Sequence, residues 1–144
     1  MPVGGMWGSD LLKIRPEMYQ VMKSPFDGKE VVCVKSLQPD WALVHVHEAD
    51  EMGNARIYGN TFQDVLLTRA AKRTIITAER IVPTETFREK PELTTIPYIF
   101  VEAVVEAPKG AAPGPCWPDY PLPDRDGMKA YLGAVKNDAV SEWL

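Results

Sequence analysis

The chain has 144 residues and a mass of 16.1 kDa, with 45% hydrophobic and 25% charged residues, a formal net charge of −4 and a sequence pI near 5.2. That length suits one compact domain with a real core, so residues 1–144 are read as a single domain. The acidic balance and scattered basic residues exclude the basic stripe of a nucleic-acid binder, and no apolar run approaches the roughly 18 residues of a membrane span.

The opening MPVGGMWGSDLLK lacks a cationic region followed by an apolar one, so it does not read as a secretory signal, and a cytoplasmic location is the default expectation. RPEMYQVM (15–22) offers a weak helix. VVCVKSL (31–37) and WALVHVH (41–47) are short, β-branched apolar runs that read as strands near 31–36 and 41–47. NARIYG (54–59) suits a short hairpin arm after a turn at Gly53 and Asn54, two residue types that tolerate positive φ. TFQDVLLTRAAKR (61–73) carries Phe62, Val65, Leu66 and Ala70 at helical spacing, with Thr61 placed as N-cap and Lys72 and Arg73 where a helix dipole favours cations; it predicts a helix near 62–72. TIITAERIV (74–82) and YIFVEAVVEA (98–107) predict strands near 74–79 and 99–106. Six of the thirteen prolines crowd residues 108–123, which must be a loop, and DRDGMKAYLGAVKND (124–138) predicts a helix near 126–135.

Strand, helix and strand over 41–82 fit a crossover joining parallel strands. The continuous hydrophobicity of WALV and IIT is that of strands covered on both faces. The expected class is therefore α/β: an open, mainly parallel sheet with flanking helices. Cys33 and Cys116 have no CxxC spacing, which argues against a disulfide framework or zinc ribbon.

The chemistry-bearing residues gather at the end of the second strand. His45 and His47 project to one side of it and could reach an ion with Glu48 or Asp50, but no further ligand is evident and no metal is expected. One histidine packed under a neighbouring element and the other lining a crevice is the simpler reading. Ligands of open parallel sheets bind outside the carboxyl ends of the strands, so His47, Glu48, Asp50 and Asn54 are candidates for shaping a site. Glu79, set within an apolar strand, is either an ion-pair partner near Arg80 or a polar group facing the crevice. No phosphate loop, Ser-His-Asp or Cys-His arrangement can be read from the spacing, so no catalytic residue is assigned.

Four stretches in order, GSDLLK (8–13), SPFDGKEVVCVKSLQPDWALVHVHEADEMGNARIYG (24–59), RAAKRTIITAERIV (69–82) and TTIPYIFVEAVVEAPKGAAPGPC (94–116), resemble the A subunit of family I CoA-transferases, closest to the glutaconate CoA-transferase type. The resemblance implies the NagB/RpiA/CoA-transferase-like fold and covers the second half of such a subunit, with a Pro-rich loop at 108–123. It implies no bound cofactor, coenzyme A thioester as substrate of the complete enzyme, and two partners in an oligomer: the first half of the A subunit, and a B subunit. The family's glutamate nucleophile belongs to the B subunit, so this chain alone is expected to be inactive. The alternatives are a non-catalytic binding or assembly module, a CoA-thioester hydrolase on the same scaffold, and a sugar-phosphate isomerase of the same broad fold group.

Overall fold

The computed structural model describes residues 1–143. Residues 1–144, expected as one domain, group into two compact units, Met1–Gln38 and Pro39–Leu144.

The first unit holds β1 (Pro2–Val3), α1 (Leu11–Ile14), β2 (Tyr19–Lys23) and β3 (Glu30–Val34) in an antiparallel sheet of order β1-β3-β2, with Val32 fully buried. Two expectations change here. The weak helix at 15–22 is absent: Tyr19 and Val21 belong to a hairpin closed by Ser24–Lys29, where Gly28 takes φ +69°. Pairing with β3 outweighs a marginal helical pattern, since short isolated helices have little stability of their own. The strand expected at 31–36 is present at Glu30–Val34, but it is antiparallel to both neighbours and no part of the parallel sheet.

In the second unit, β4 (Trp41–Ala49), β5 (Ala55–Arg56), β6 (Arg73–Ile81) and β7 (Ala103–Glu106) form a sheet of order β5-β4-β6-β7. β4, β6 and β7 are parallel, and β5 returns antiparallel against Glu48 and Ala49. The chain is thus α/β with a mixed, mainly parallel sheet. α2 (Asp64–Ala70) makes the crossover, and its Leu67 packs on a core of Val44, Val46, Ala49, Ala55, Ile76, Ala78 and Ile96. α2 starts later than its pattern suggests: Gln63 is the cap, and Thr61 contributes only its carbonyl, to the Asp64 N–H. The strand expected at 99–106 is shortened because Pro97 leads into a 3-10 turn at Tyr98–Phe100, and pairing with β6 begins only when the Glu102 N–H reaches the Thr74 carbonyl. α3 (Thr84–Glu89) follows β6; α4 (Arg125–Lys136) is capped by the Asp124 carboxylate, which accepts from the Gly127 N–H at 2.8 Å; α5 spans Val140–Trp143.

Burial along β4 alternates. Ala42, Val44 and Val46 are buried on the core face while Trp41 and Leu43 are exposed, so the expected cover on both faces is not present over this half of the strand.

The turn after β4 is stapled to the 3-10 turn. Gly53 sits at φ +103°, and a Cβ there would lie 3.1 Å from the Val101 Cβ. Gly59, at φ +107°, has open space around it. Gly53→Ala should therefore cost about 1–3 kcal/mol, the sum of backbone strain and crowding, and Gly59→Ala less because only the strain applies. Urea denaturation of the two variants against the parent measures the difference, and equal losses would show that the Val101 contact yields freely.

Candidate functional site

The carboxyl end of the sheet gathers three polar networks. The first lies where β4 and β6 run side by side, with His45 in register with Thr77. The His45 Nε2–H donates to Glu79 Oε1 at 2.7 Å and its Nδ1 pairs with the Thr77 hydroxyl at 2.9 Å. Glu79 also accepts from the Tyr120 hydroxyl at 2.7 Å and from the Lys109 N–H at 2.8 Å. Burial pushes this carboxyl up, but the bonds from Lys109, Tyr120 and His45 outweigh it and hold Glu79 below the usual carboxylate range. Burial, followed by the bond to Glu79, raises the Tyr120 phenol.

His47 serves the same loop. Its Nδ1 accepts from the Tyr58 N–H at 3.1 Å and its Nε2–H donates to the Trp117 carbonyl at 2.6 Å, so the two partners fix the neutral Nε2–H tautomer. The Pro-rich segment thus lies on the sheet at Lys109, Trp117 and Tyr120. Gly110 comes so close that a Cβ would meet the His45 ring at 2.8 Å, which leaves room for glycine alone unless the ring moves.

The second network centres on Glu48, which accepts from the Tyr58 hydroxyl at 2.6 Å and from Arg80, with Arg56 at 3.6 Å. Burial raises the Glu48 carboxyl, and the Tyr58 bond and Arg80 charge bring it below its ordinary value. Arg80 also holds Asp119 of the loop. Arg56 lies over the Phe87 ring and donates to the Thr86 and Lys90 carbonyls, while its Nε has no partner. In the third network, fully buried Asp50 accepts from the Asn54 N–H and side-chain amide, both at 2.8 Å, and the side-chain Oδ1 of Asn54 accepts from the Tyr98 N–H.

The five candidates therefore divide. Glu79 and His47 anchor the loop, Glu48 joins two arginines, and Asp50 and Asn54 shape the turn. Neither reading offered for Glu79 describes it: Arg80 pairs with Glu48 and Asp119, and Glu79 with His45 and the loop. Tyr58, Tyr120 and Asp119 escaped the sequence reading, since no local pattern says which loop tyrosine will meet which strand carboxylate. Of the candidates, Asn54 lines a cleft of about 560 Å³ with Thr84, Phe87, Arg88 and Tyr98. A smaller one of about 360 Å³ opens beside His45, His47, Phe62 and Trp117.

Two sets of side chains have metal-like spacing, His45 with Glu79 and Cys116, and His47 with Cys116 and Asp119. Every histidine ring nitrogen in them is already hydrogen-bonded. The Cys116 thiol is raised, first by burial and then by the charges of Glu79 and Asp119, which disfavours the thiolate that a metal or a covalent reaction requires.

A mixed, mainly parallel sheet with its polar side chains gathered at the carboxyl end defines an α/β protein with a crevice at the strand ends. A family model for coenzyme A transferase matches residues 5–107, and the chain belongs to that family. It is 39% identical over 120 residues to the A subunit of glutaconate CoA-transferase from Acidaminococcus fermentans, covering 83% of this chain and 37% of that protein. The crystal structure of glutaconate coenzyme A-transferase from the same organism superposes with a TM-score of 0.82 at 33% identity, over 97% of this chain and 47% of that one. The decarboxylase AibA/AibB gives a TM-score of 0.75 at 32% identity, over 94% of this chain and 48% of that one. The chain thus spans between about a third and a half of the length of these relatives. No helix among the described residues is long and apolar enough to cross a membrane.

Glu79→Gln should loosen the loop. An amide can still accept from His45, but its NH2 has to face a donor, and leaving that buried polar group unsatisfied costs about 1–3 kcal/mol. Because the folded carboxyl titrates below its unfolded value, the stabilisation is fully present above the ordinary carboxylate range and is lost as pH falls through the lowered folded value. Denaturation from pH 7 down to pH 3 should show the gap between parent and Glu79→Gln closing only at the acid end; a constant gap would mean that the charge is not what holds the loop.

Proposed function

We propose that this chain is part of the A subunit of a CoA-transferase and supports, together with a B subunit, the transfer of CoA between an acyl-CoA and a carboxylic acid. The likeness over 97% of the chain to glutaconate coenzyme A-transferase is the observation that carries this reading.

In such a reaction a carboxylate attacks the thioester carbonyl and expels the CoA thiolate, leaving an acyl-enzyme anhydride. The thiolate then attacks the enzyme's side of that anhydride, releasing the first acid and forming an enzyme thioester, and the acceptor acid repeats the sequence in reverse. Covalent catalysis of this kind divides one difficult exchange into easier steps. Each carboxylate oxygen of Glu48, Asp50 and Glu79 already accepts a hydrogen bond, which suits a chain that relies on a nucleophile from its partner. Its own contribution is a rigid strand end and the open cleft at Asn54, Arg88 and Tyr98, where a polar substrate can be held beside the partner's carboxylate.

A second reading, another reaction of CoA thioesters on the same scaffold, is favoured by the likeness to the decarboxylase AibA/AibB. Incubation with acetyl-CoA and a panel of mono- and dicarboxylic acceptors separates the two. The chain alone should show no exchange above background. Co-expressed with the rest of an A subunit plus a B subunit, it should give acceptor-dependent formation of new acyl-CoA. Free CoA or carbon dioxide released without an acceptor would favour the second reading, and exchange by the chain alone, abolished by Glu48→Gln, would overturn the assignment of the nucleophile to the partner.

A further inference from the structure

The cleft at Asn54 is built largely by one short stretch of chain. Six of its nine lining residues, Thr84, Glu85, Phe87, Arg88, Pro91 and Thr94, come from α3 and the 3-10 turn just after it. α3 has six residues and no side-chain cap. A helix that short has little stability of its own, so its place has to be fixed from outside.

The stretch is tied down at both ends. The Val82 N–H reaches the Ala49 carbonyl where β6 ends, and the Thr95 and Ile96 N–H groups reach the Ala55 carbonyl on β5. Between those ends, among the described residues, the hydrogen bonds that reach residues 83–94 from elsewhere in the chain all come from Arg56: its Nη2 donates to the Thr86 carbonyl at 2.7 Å and to the Lys90 carbonyl at 3.0 Å. Arg56 is 3% exposed and does not line the cleft, and its guanidinium carbon stands 4.3 Å from the centre of the Phe87 ring, which does.

A guanidinium is not needed merely to fill this space. Burying a charge is unfavourable unless it is paired, and a long apolar side chain would occupy a similar volume with no donor to satisfy. Here the Arg56 Nε has no partner, and Glu48, opposite it in the β4–β5 register, lies 3.6 Å from Nη1. What arginine supplies that an apolar residue cannot is a flat fork that joins two carbonyls and an aromatic face at once.

We propose that Arg56 is a positioning residue: through Thr86, Lys90 and Phe87 it fixes the wall of the Asn54 cleft and so sets the affinity for the acceptor acid held there, with Glu48 as its counter-charge. The proposal rests on the functional reading above and assigns that cleft to the acceptor. An interaction that serves ground state and transition state equally appears in KM, so the signature is a raised KM for the acceptor with kcat preserved.

The test uses Arg56→Lys, which keeps the charge but cannot span both carbonyls, and Arg56→Met, which removes the charge and keeps most of the volume. In the chain alone, hydrogen-deuterium exchange should find α3 amides protected in the parent and exchanging at least tenfold faster in the variants, while amides of β4 and β6 stay within twofold. In the co-expressed enzyme, with acetyl-CoA as donor and glutarate and propionate as dicarboxylic and monocarboxylic probes, KM for the acceptor should rise at least fivefold and kcat stay within twofold. Arg73→Lys, which alters an arginine-aromatic contact with Trp41 at the other end of the strands, should change neither readout. If Arg56→Met does not fold, Arg56→Lys decides alone. Unprotected α3 amides in the parent, α3 amides indifferent to Arg56→Lys, or a loss confined to kcat would each overturn the proposal. CoA exchange with an unmoved acceptor KM would remove the positioning role and leave the functional reading intact; a parent enzyme that exchanges CoA with no acceptor would sink the functional reading and the acceptor role together, even where the α3 amides loosen.

Discussion

The carboxylate of Glu79 holds the second unit's most irregular segment in place. It is an acceptor from a strand histidine, a loop tyrosine and a loop backbone N–H at once, the histidine on β4 and the other two donors near opposite ends of the Pro-rich segment. A proline-rich segment has few N–H groups and builds no ladder of its own, so it needs fixed partners elsewhere. The sheet supplies them at one point. His45 is aligned by Thr77, His47 takes the Trp117 carbonyl, and Gly110 lets the loop backbone come down on the His45 ring.

Both histidines of the chain are consumed in this way. Two imidazoles, a thiol and two carboxylates within a few ångströms have the composition of a metal centre, yet each ring nitrogen already has a proton to give or a lone pair engaged. The Glu48 and Asp50 networks follow the same rule. Buried charge is tolerated because it is paired, by Arg80 and Tyr58 in one case and by both amide donors of Asn54 in the other. The cleft beside the Asn54 turn and a smaller one beside His45 and His47 stay open to solvent.

The two halves of β4 illustrate how one strand can be finished on one end and open on the other. Towards its carboxyl end it has a strand on each side and a loop across its polar face. Towards its amino end it has one neighbour and bare tryptophan and leucine.

Element type was legible wherever periodicity was strong. β4, β6 and α4 could be placed from residue order because β-branched runs and a 3.6-residue apolar stripe have few other solutions. The turn at Gly53 was visible for the same kind of local reason: few residues other than glycine adopt its φ without strain. Residues 15–22 were misread because a weak helical pattern lost to pairing with a strand that follows a tight turn, and Tyr98–Phe100 because Pro97 redirected a run that looked extended. The sequence by itself determined that polar side chains crowd the end of one strand. Only tertiary structure decided that Glu79 belongs with His45 and Tyr120, and Arg80 with Glu48 and Asp119, because those pairings join residues 32 to 41 positions apart and are set by strand register and loop docking, which no local pattern encodes.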